Sequence, residues 1–120
     1  MKTILILEEL ACFALAVLAF YLQCSLAWWW FPALILAPDI SMLGYLAGNK
    51  TGACVYNFFH HKGTAIALYL AGWYTGHQWL LFCGILLFAH SSMDRIFGYG
   101  LKYATGFSDT HLGKIGRKPV

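Results

Sequence analysis

Asp39, His60, His90 and Asp94 are the residues of this chain whose types and spacing can do chemistry. Each stands in or beside an apolar run, where an ionisable group is costly and by default marks function. His90 and Asp94 are four apart, one above the other on a single helical face. Asn57, His60, His61 and Thr64 recur at i, i+3, i+4 and i+7, a polar stripe in an otherwise apolar helix. Carboxylate oxygens with neutral imidazole nitrogens are the ligands that Zn²⁺, Fe²⁺ or Mn²⁺ accept. The expectation is one divalent metal, with zinc as the candidate, held by Asp39, His60, His90 and Asp94. Glu8 is a fifth ligand or general base in this reading. The competing reading is a buried polar network in which Asp39 and Asp94 pair with Lys62 and Arg95 and the His residues satisfy backbone carbonyls. Glu9, His61 and Lys62 neighbour better-placed residues but point about 100° away around their helices, so they are left to structure.

The elements that must position these groups are membrane helices. Of 120 residues, 60% are hydrophobic and 11% charged, against roughly 25% charged in a soluble domain. That composition excludes a soluble globule, a disordered chain and, with eight Lys or Arg, a nucleic-acid-binding surface. Four cysteines, Cys12, Cys24, Cys54 and Cys83, form no CxxC and read as small hydrophobes. Turn signals at Gly48–Gly52 and around Gly76 divide the chain. The expected fold is all-α: a four-transmembrane-helix bundle with helices at about 4–24, 28–47, 52–73 and 77–99, and a short polar tail at 104–120. Glu8 and Glu9 interrupt what would be the apolar region of a signal peptide, so the first helix is read as retained.

Four spans put both termini and the middle loop on one side. That side carries Lys2, Lys50, Lys102, Lys114, Arg117 and Lys118, and the other carries none, which makes the charged side cytoplasmic. Trp28, Trp29, Trp30, Trp73, Tyr74 and Trp79 fall at the opposite interface, as an aromatic belt requires. Counted along the helices, Glu8, Asp39, His60, His90 and Asp94 share a layer about 6–14 Å from the cytoplasmic face. Four-helix bundles build metal sites from such inward-facing groups. In the tail, Asp109-Thr110-His111 reads on spacing alone as a solvated Asx-type turn.

Longer strings carry a resemblance. They are Pro38-Asp39-Ile40-Ser41-Met42-Leu43-Gly44-Tyr45, Tyr56-Asn57-x-x-His60, His90-x-x-x-Asp94-Arg95-x-x-Gly98-Tyr99-Gly100-Leu101-Lys102-Tyr103, and Phe107-x-Asp109-Thr110-His111-Leu112-Gly113. The chain resembles, from the Leu7-Glu8 region to Gly113, a family of small bacterial integral-membrane proteins, the domain-of-unknown-function 4260 family. The resemblance implies a multi-pass protein of the bacterial inner membrane and supplies no activity. It adds Asn57, Arg95 and Asp109 as supporting residues and turns the tail into part of the site, with His111 and Lys102 as groups to shuttle a proton or stabilise charge. Where family members often have a His-Thr pair, this chain has His60-His61-Lys62. A fainter similarity is to membrane-bound metal-dependent hydrolases. The metal site itself gives the expectation of hydrolysis of an ester, amide or phosphoester, and the depth of the layer points to an amphiphilic substrate entering from the membrane lipids of the cytoplasmic leaflet. Two alternatives stand beside it: a small ion-coupled transporter, or a non-catalytic or haem-binding subunit of a larger membrane complex, with His60 and His90 as axial ligands. A homo-oligomer is compatible with each.

Overall fold

A computed structural model of the chain describes residues 1–98, 100, 101, 109, 110 and 112–114, with the backbone alone at 109, 113 and 114. Helix α1 runs Lys2–Gln23, α2 Trp30–Leu34, a 3₁₀ helix Ala37–Ala47, α3 Asn49–His60, α4 Lys62–Thr75 and α5 Gln78–Ile96. Two short antiparallel strands, β1 at Asp109–Thr110 and β2 at Gly113–Lys114, pair Thr110 with Gly113. The described residues of the tail thus include a minimal hairpin, and Thr110 is buried there, where the sequence predicts only a polar tail.

Three helical runs, Lys2–Gln23, Trp30–Ala47 and Gln78–Ile96, are long and apolar enough to cross a membrane. They make this a membrane protein. The expected four uninterrupted spans are not what forms. The second span breaks between α2 and the 3₁₀ helix, and the third breaks at His61 into helices of 12 and 14 residues, each short of the roughly 20 needed to span alone.

Both breaks have local causes. Pro38 has no N–H for the Leu34 carbonyl, and its ring would clash there, so α2 stops at Leu34. The chain resumes with i→i−3 bonding, Asp39 N–H donating to the Leu36 carbonyl at 3.1 Å. That shift leaves the Ile35 carbonyl without its helical donor. At the second break His61 is extended (φ −89°, ψ 127°) and caps α4 by accepting from the Gly63 N–H at 3.0 Å. The His60 carbonyl loses its i+4 partner in turn.

Helix α5 is the inner helix: 61% of its apolar window is buried, against 11% for the other two spans. It packs between α1 and α4. The α1–α5 face joins Ala16 and Phe20 to Leu81, Phe82, Ile85, Leu86 and Ala89. The α4–α5 face is close, because a Cβ on Gly84 would lie 2.7 Å from the Ala65 carbonyl oxygen and from Tyr69 Cα. Backbones approach in this way where the lipid offers no hydrophobic drive and dispersion must supply the association. Helix α3 packs chiefly on the 3₁₀ helix, forming a hairpin beside the α1–α4–α5 group.

The end of the molecule where α1 meets α5 is aromatic. The Ser25 N–H donates to Gln78 Oε1 at 2.9 Å, and Trp30 meets Trp79 edge-on with centroids 5.2 Å apart. Trp28, Trp73 and Tyr74 are exposed, as anchors at a membrane–water interface are. The four cysteines are unpaired.

Candidate metal centre

Asp39, His60, His90 and Asp94 converge, with one ligand atom from each lying within 4.8 Å of all the others. His60 and His90 are fully buried. The Asp94 side chain is 10% exposed and that of Asp39 35%. Asp39 comes from the start of the 3₁₀ helix, His60 from the last residue of α3, and His90 and Asp94 from one face of α5. The two helix breaks bring the first two ligands to the third and fourth.

Backbone carbonyls orient both imidazoles, and one of the two carbonyls is freed by a break. His60 Nδ1 lies 2.9 Å from the Tyr56 carbonyl oxygen, and His90 Nδ1 lies 2.5 Å from the Ile35 carbonyl oxygen. A carbonyl only accepts, so each Nδ1 carries the proton and donates. The Ile35 carbonyl is the one freed at the Pro38 break. Each Nε2 therefore turns into the cluster, and the two are 3.1 Å apart. Where both rings are neutral their Nε2 lone pairs face each other, and the repulsion is relieved by a shared metal ion or by a proton on one Nε2 that donates to the other or to Asp39. Histidines that ligate metals are fixed in this manner by a backbone carbonyl on the other nitrogen.

The separations fit an ion. His60 Nε2 is 3.3 Å from Asp39 Oδ1 and 3.4 Å from Asp94 Oδ2; His90 Nε2 is 3.1 Å and 3.5 Å from the same atoms. Ligands about 2.0–2.1 Å from a tetrahedral zinc lie about 3.3–3.4 Å from one another. The carboxylates alone are spaced more loosely, within the 4.8 Å that bounds the set. Asp39 is the more exposed of the two carboxylates, so the accessible side of the set is its side. The donor set and the geometry can thus hold one divalent ion with its open side towards Asp39.

Around the cluster sit groups to which the sequence alone gives no role or a different one. Tyr56 is buried, stacks on the His60 ring (centroids 3.8 Å, 7° between planes) and donates its phenol hydrogen to Asp94 Oδ2 at 3.1 Å. It lies four residues before His60, on the same face, and that spacing is the signal that could have found it. Ser91 Oγ–H donates to the freed His60 carbonyl at 2.7 Å, and Arg95 Nη2 donates to the same oxygen at 3.3 Å. Helix α5 thus carries two interleaved i,i+4 pairs: His90 and Asp94 face the ion position, while Ser91 and Arg95 hold the broken helix. Arg95 meets the surroundings of the cluster through backbone, at the His60 carbonyl. Asn57 is half-buried on α3.

Glu8 is not brought to the cluster. It is exposed on α1, and Glu9 faces inward and pairs with Lys62. Sequence depth does not separate the two, because adjacent residues share a depth but point about 100° apart around the helix. Lys102 and His111 lie outside the described residues. Asp109 is in β1, with its side chain outside them. A haem between His60 and His90 does not fit: axial nitrogens on opposite faces of a porphyrin stand about 4 Å apart at bonds of about 2 Å, and these are 3.1 Å apart.

The fold and the site define a membrane protein with a buried His₂Asp₂ cluster at two broken helices. The chain matches the family model described as Domain of unknown function (DUF4260) over residues 2–115, and it belongs to that family. No curated protein and no solved structure matches it.

Proposed function

We propose that this protein is a membrane metalloprotein in which Asp39, His60, His90 and Asp94 hold one divalent ion, zinc by its spacing, near the cytoplasmic side of a bacterial inner membrane. The observation that carries this is the pair of Nε2 lone pairs, both pinned by Nδ1–H donation and facing each other at 3.1 Å. A bound divalent ion would supply Lewis acidity towards a carbonyl or phosphoryl oxygen. The reaction class this supports is hydrolysis of an amphiphilic ester, amide or phosphoester. The chain's part is to keep three ligands buried and leave the Asp39 side accessible. Tyr56 holds the Asp94 carboxylate in place. The clustering of Lys2, Lys50, Lys102, Lys114, Arg117 and Lys118 on the side of the termini supports the orientation.

Elemental analysis of the detergent-purified protein beside a His60→Ala/His90→Ala variant tests the reading. About one metal per chain in the wild type and none in a folded variant is the expected result. A wild type purified without chelator that carries no metal overturns it.

One observation favours a second reading, ion-coupled transport. Two discontinuous helices meet at a polar cluster, an arrangement that carriers use for substrate and ion sites. Metal or proton flux into proteoliposomes that disappears in Asp94→Asn would establish it in place of hydrolysis.

A further inference from the structure

The elements that hold the cluster also enclose a cleft. It lies between the 3₁₀ helix and α3 on one side and α4 and α5 on the other, with a volume of about 570 Å³. Small-molecule sites have roughly 300–1,000 Å³. Pro38, Val55, Phe59, Leu68, Leu86 and Leu87 are among the residues of its wall. Pro38 directly precedes Asp39, Phe59 directly precedes His60, and Leu86 is one helical turn before His90. The cleft therefore shares the 3₁₀ helix, α3 and α5 with the metal centre and runs beside it, although none of the four ligands lines it.

Three observations narrow the occupant. First, Ile40 and Leu43, also in the wall, are 65% and 64% exposed, so the cleft is continuous with the apolar surface that the spanning helices present to hydrocarbon. Second, its volume suits a slender chain rather than a helix seated wholly within it. A helix about 10 Å across would exhaust a volume of 570 Å³ in under two turns. Third, Ser41 lines the cleft, is 8% exposed, and its Oγ has no hydrogen-bond partner among the described residues. A hydroxyl so buried is costly unless something satisfies it, and a hydrocarbon tail alone cannot. The occupant needs an apolar chain and a polar head near residues 39–41.

We propose that the cleft seats the hydrocarbon chain of a single-chain amphiphile taken from the bilayer, its carboxyl or ester head lying at the Asp39 side of the metal centre and accepting a hydrogen bond from Ser41. The assignment rests on the metal reading above and names its substrate class. Helices α4 and α5 form one wall of the channel for the tail, and the α3–3₁₀ hairpin forms the other. The head is then delivered to the accessible side of the cluster, while the two fully buried imidazoles stay on the far side from solvent.

The test uses zinc-loaded protein in lipid nanodiscs containing stearic acid with a mid-chain diazirine, irradiated and mapped by peptide mass spectrometry. Labelling concentrated on 55–59 and 83–87, several-fold above the exposed face of α1 at Leu15, Leu18 and Leu22, is the expected result. Leu87→Trp, which fills the cleft, should suppress that labelling, and Ser41→Ala should weaken it for the carboxylate probe but not for a diazirine alkane. Chelation of zinc should weaken it likewise. Uniform labelling of all exposed apolar surface overturns the proposal, as do crosslinks to a second copy of the chain across the same wall. Labelling of the cleft that ignores both zinc and Ser41→Ala overturns the placement of the head. Zinc is quantified on the same samples: zinc present with uniform labelling refutes the cleft alone, whereas no zinc refutes the metal centre.

Discussion

Replacing Tyr56 with Phe removes one atom from the surroundings of the metal centre and leaves nearly everything else. The ring that stacks on His60 at 3.8 Å remains, and so does the backbone carbonyl that receives His60 Nδ1–H. What is lost is the phenol hydrogen bond to Asp94 Oδ2 at 3.1 Å, made by a side chain only 3% exposed. A hydrogen bond to a charged group contributes about 1.5–3 kcal/mol. At about 1.4 kcal/mol per decade, its loss weakens metal binding by roughly 10–100-fold, the range found when outer-shell partners of metal ligands are removed. The assay is competition between the detergent-solubilised protein and a chromophoric chelator of known zinc affinity. Cobalt substitution gives a second readout, because freeing Asp94 alters the visible d–d bands, which a purely structural role for Tyr56 would leave alone. A zinc affinity within about twofold of wild type, with an unchanged cobalt spectrum, would refute the reasoning that the phenol positions Asp94.

Other outcomes follow from the same geometry. Acidification from roughly pH 7 to pH 5 should release the metal, because ligand imidazoles bind either the ion or a proton; metal content after dialysis across that range checks it. Ser91→Ala should lower stability by about 1–2 kcal/mol, leaving the His60 carbonyl to Arg95 alone, as read by thermal unfolding in detergent. Glu9→Gln should lower the melting temperature through loss of the Lys62 pair, by on the order of 1 kcal/mol, with Glu8→Gln without effect on melting or metal content; the reverse order would show that the two glutamates have been misassigned. Gly84→Val should force α4 and α5 apart at Ala65 and Tyr69, costing about 1–3 kcal/mol or more and reducing the yield of folded protein.

Much of the site is legible in the residues alone. Aligning helices by depth selects Asp39, His60, His90 and Asp94 because hydrocarbon makes each stray ionisable group expensive, so groups that share a layer have a reason to meet. The same argument fails at Glu8. Depth along a helix is a count of residues, whereas facing depends on rotation, and adjacent residues differ by about 100°. Ser91 and the Ile35 carbonyl escape it because a serine and a backbone oxygen carry no mark of function in a one-dimensional string, and Tyr56 is marked only by its place one turn before His60.

The chain by itself determined that this is a membrane protein, since a composition 60% hydrophobic and 11% charged leaves no soluble alternative. It also determined where the apolar runs lie and which four residues can ligate a metal. Only the tertiary structure decided that two of the expected spans are broken. A Pro that removes a donor can be read locally, but the break at His61 contains no proline. It persists because Ser91 and Arg95, roughly thirty residues away, satisfy the carbonyl that it frees. The His60 tautomer is set within its own helix by the Tyr56 carbonyl, whereas tertiary contact pinned that of His90 through the Ile35 carbonyl and placed the apolar cleft beside the cluster. These tertiary features depend on groups distant in the chain meeting at hydrogen-bond distance, which no local pattern of residues encodes.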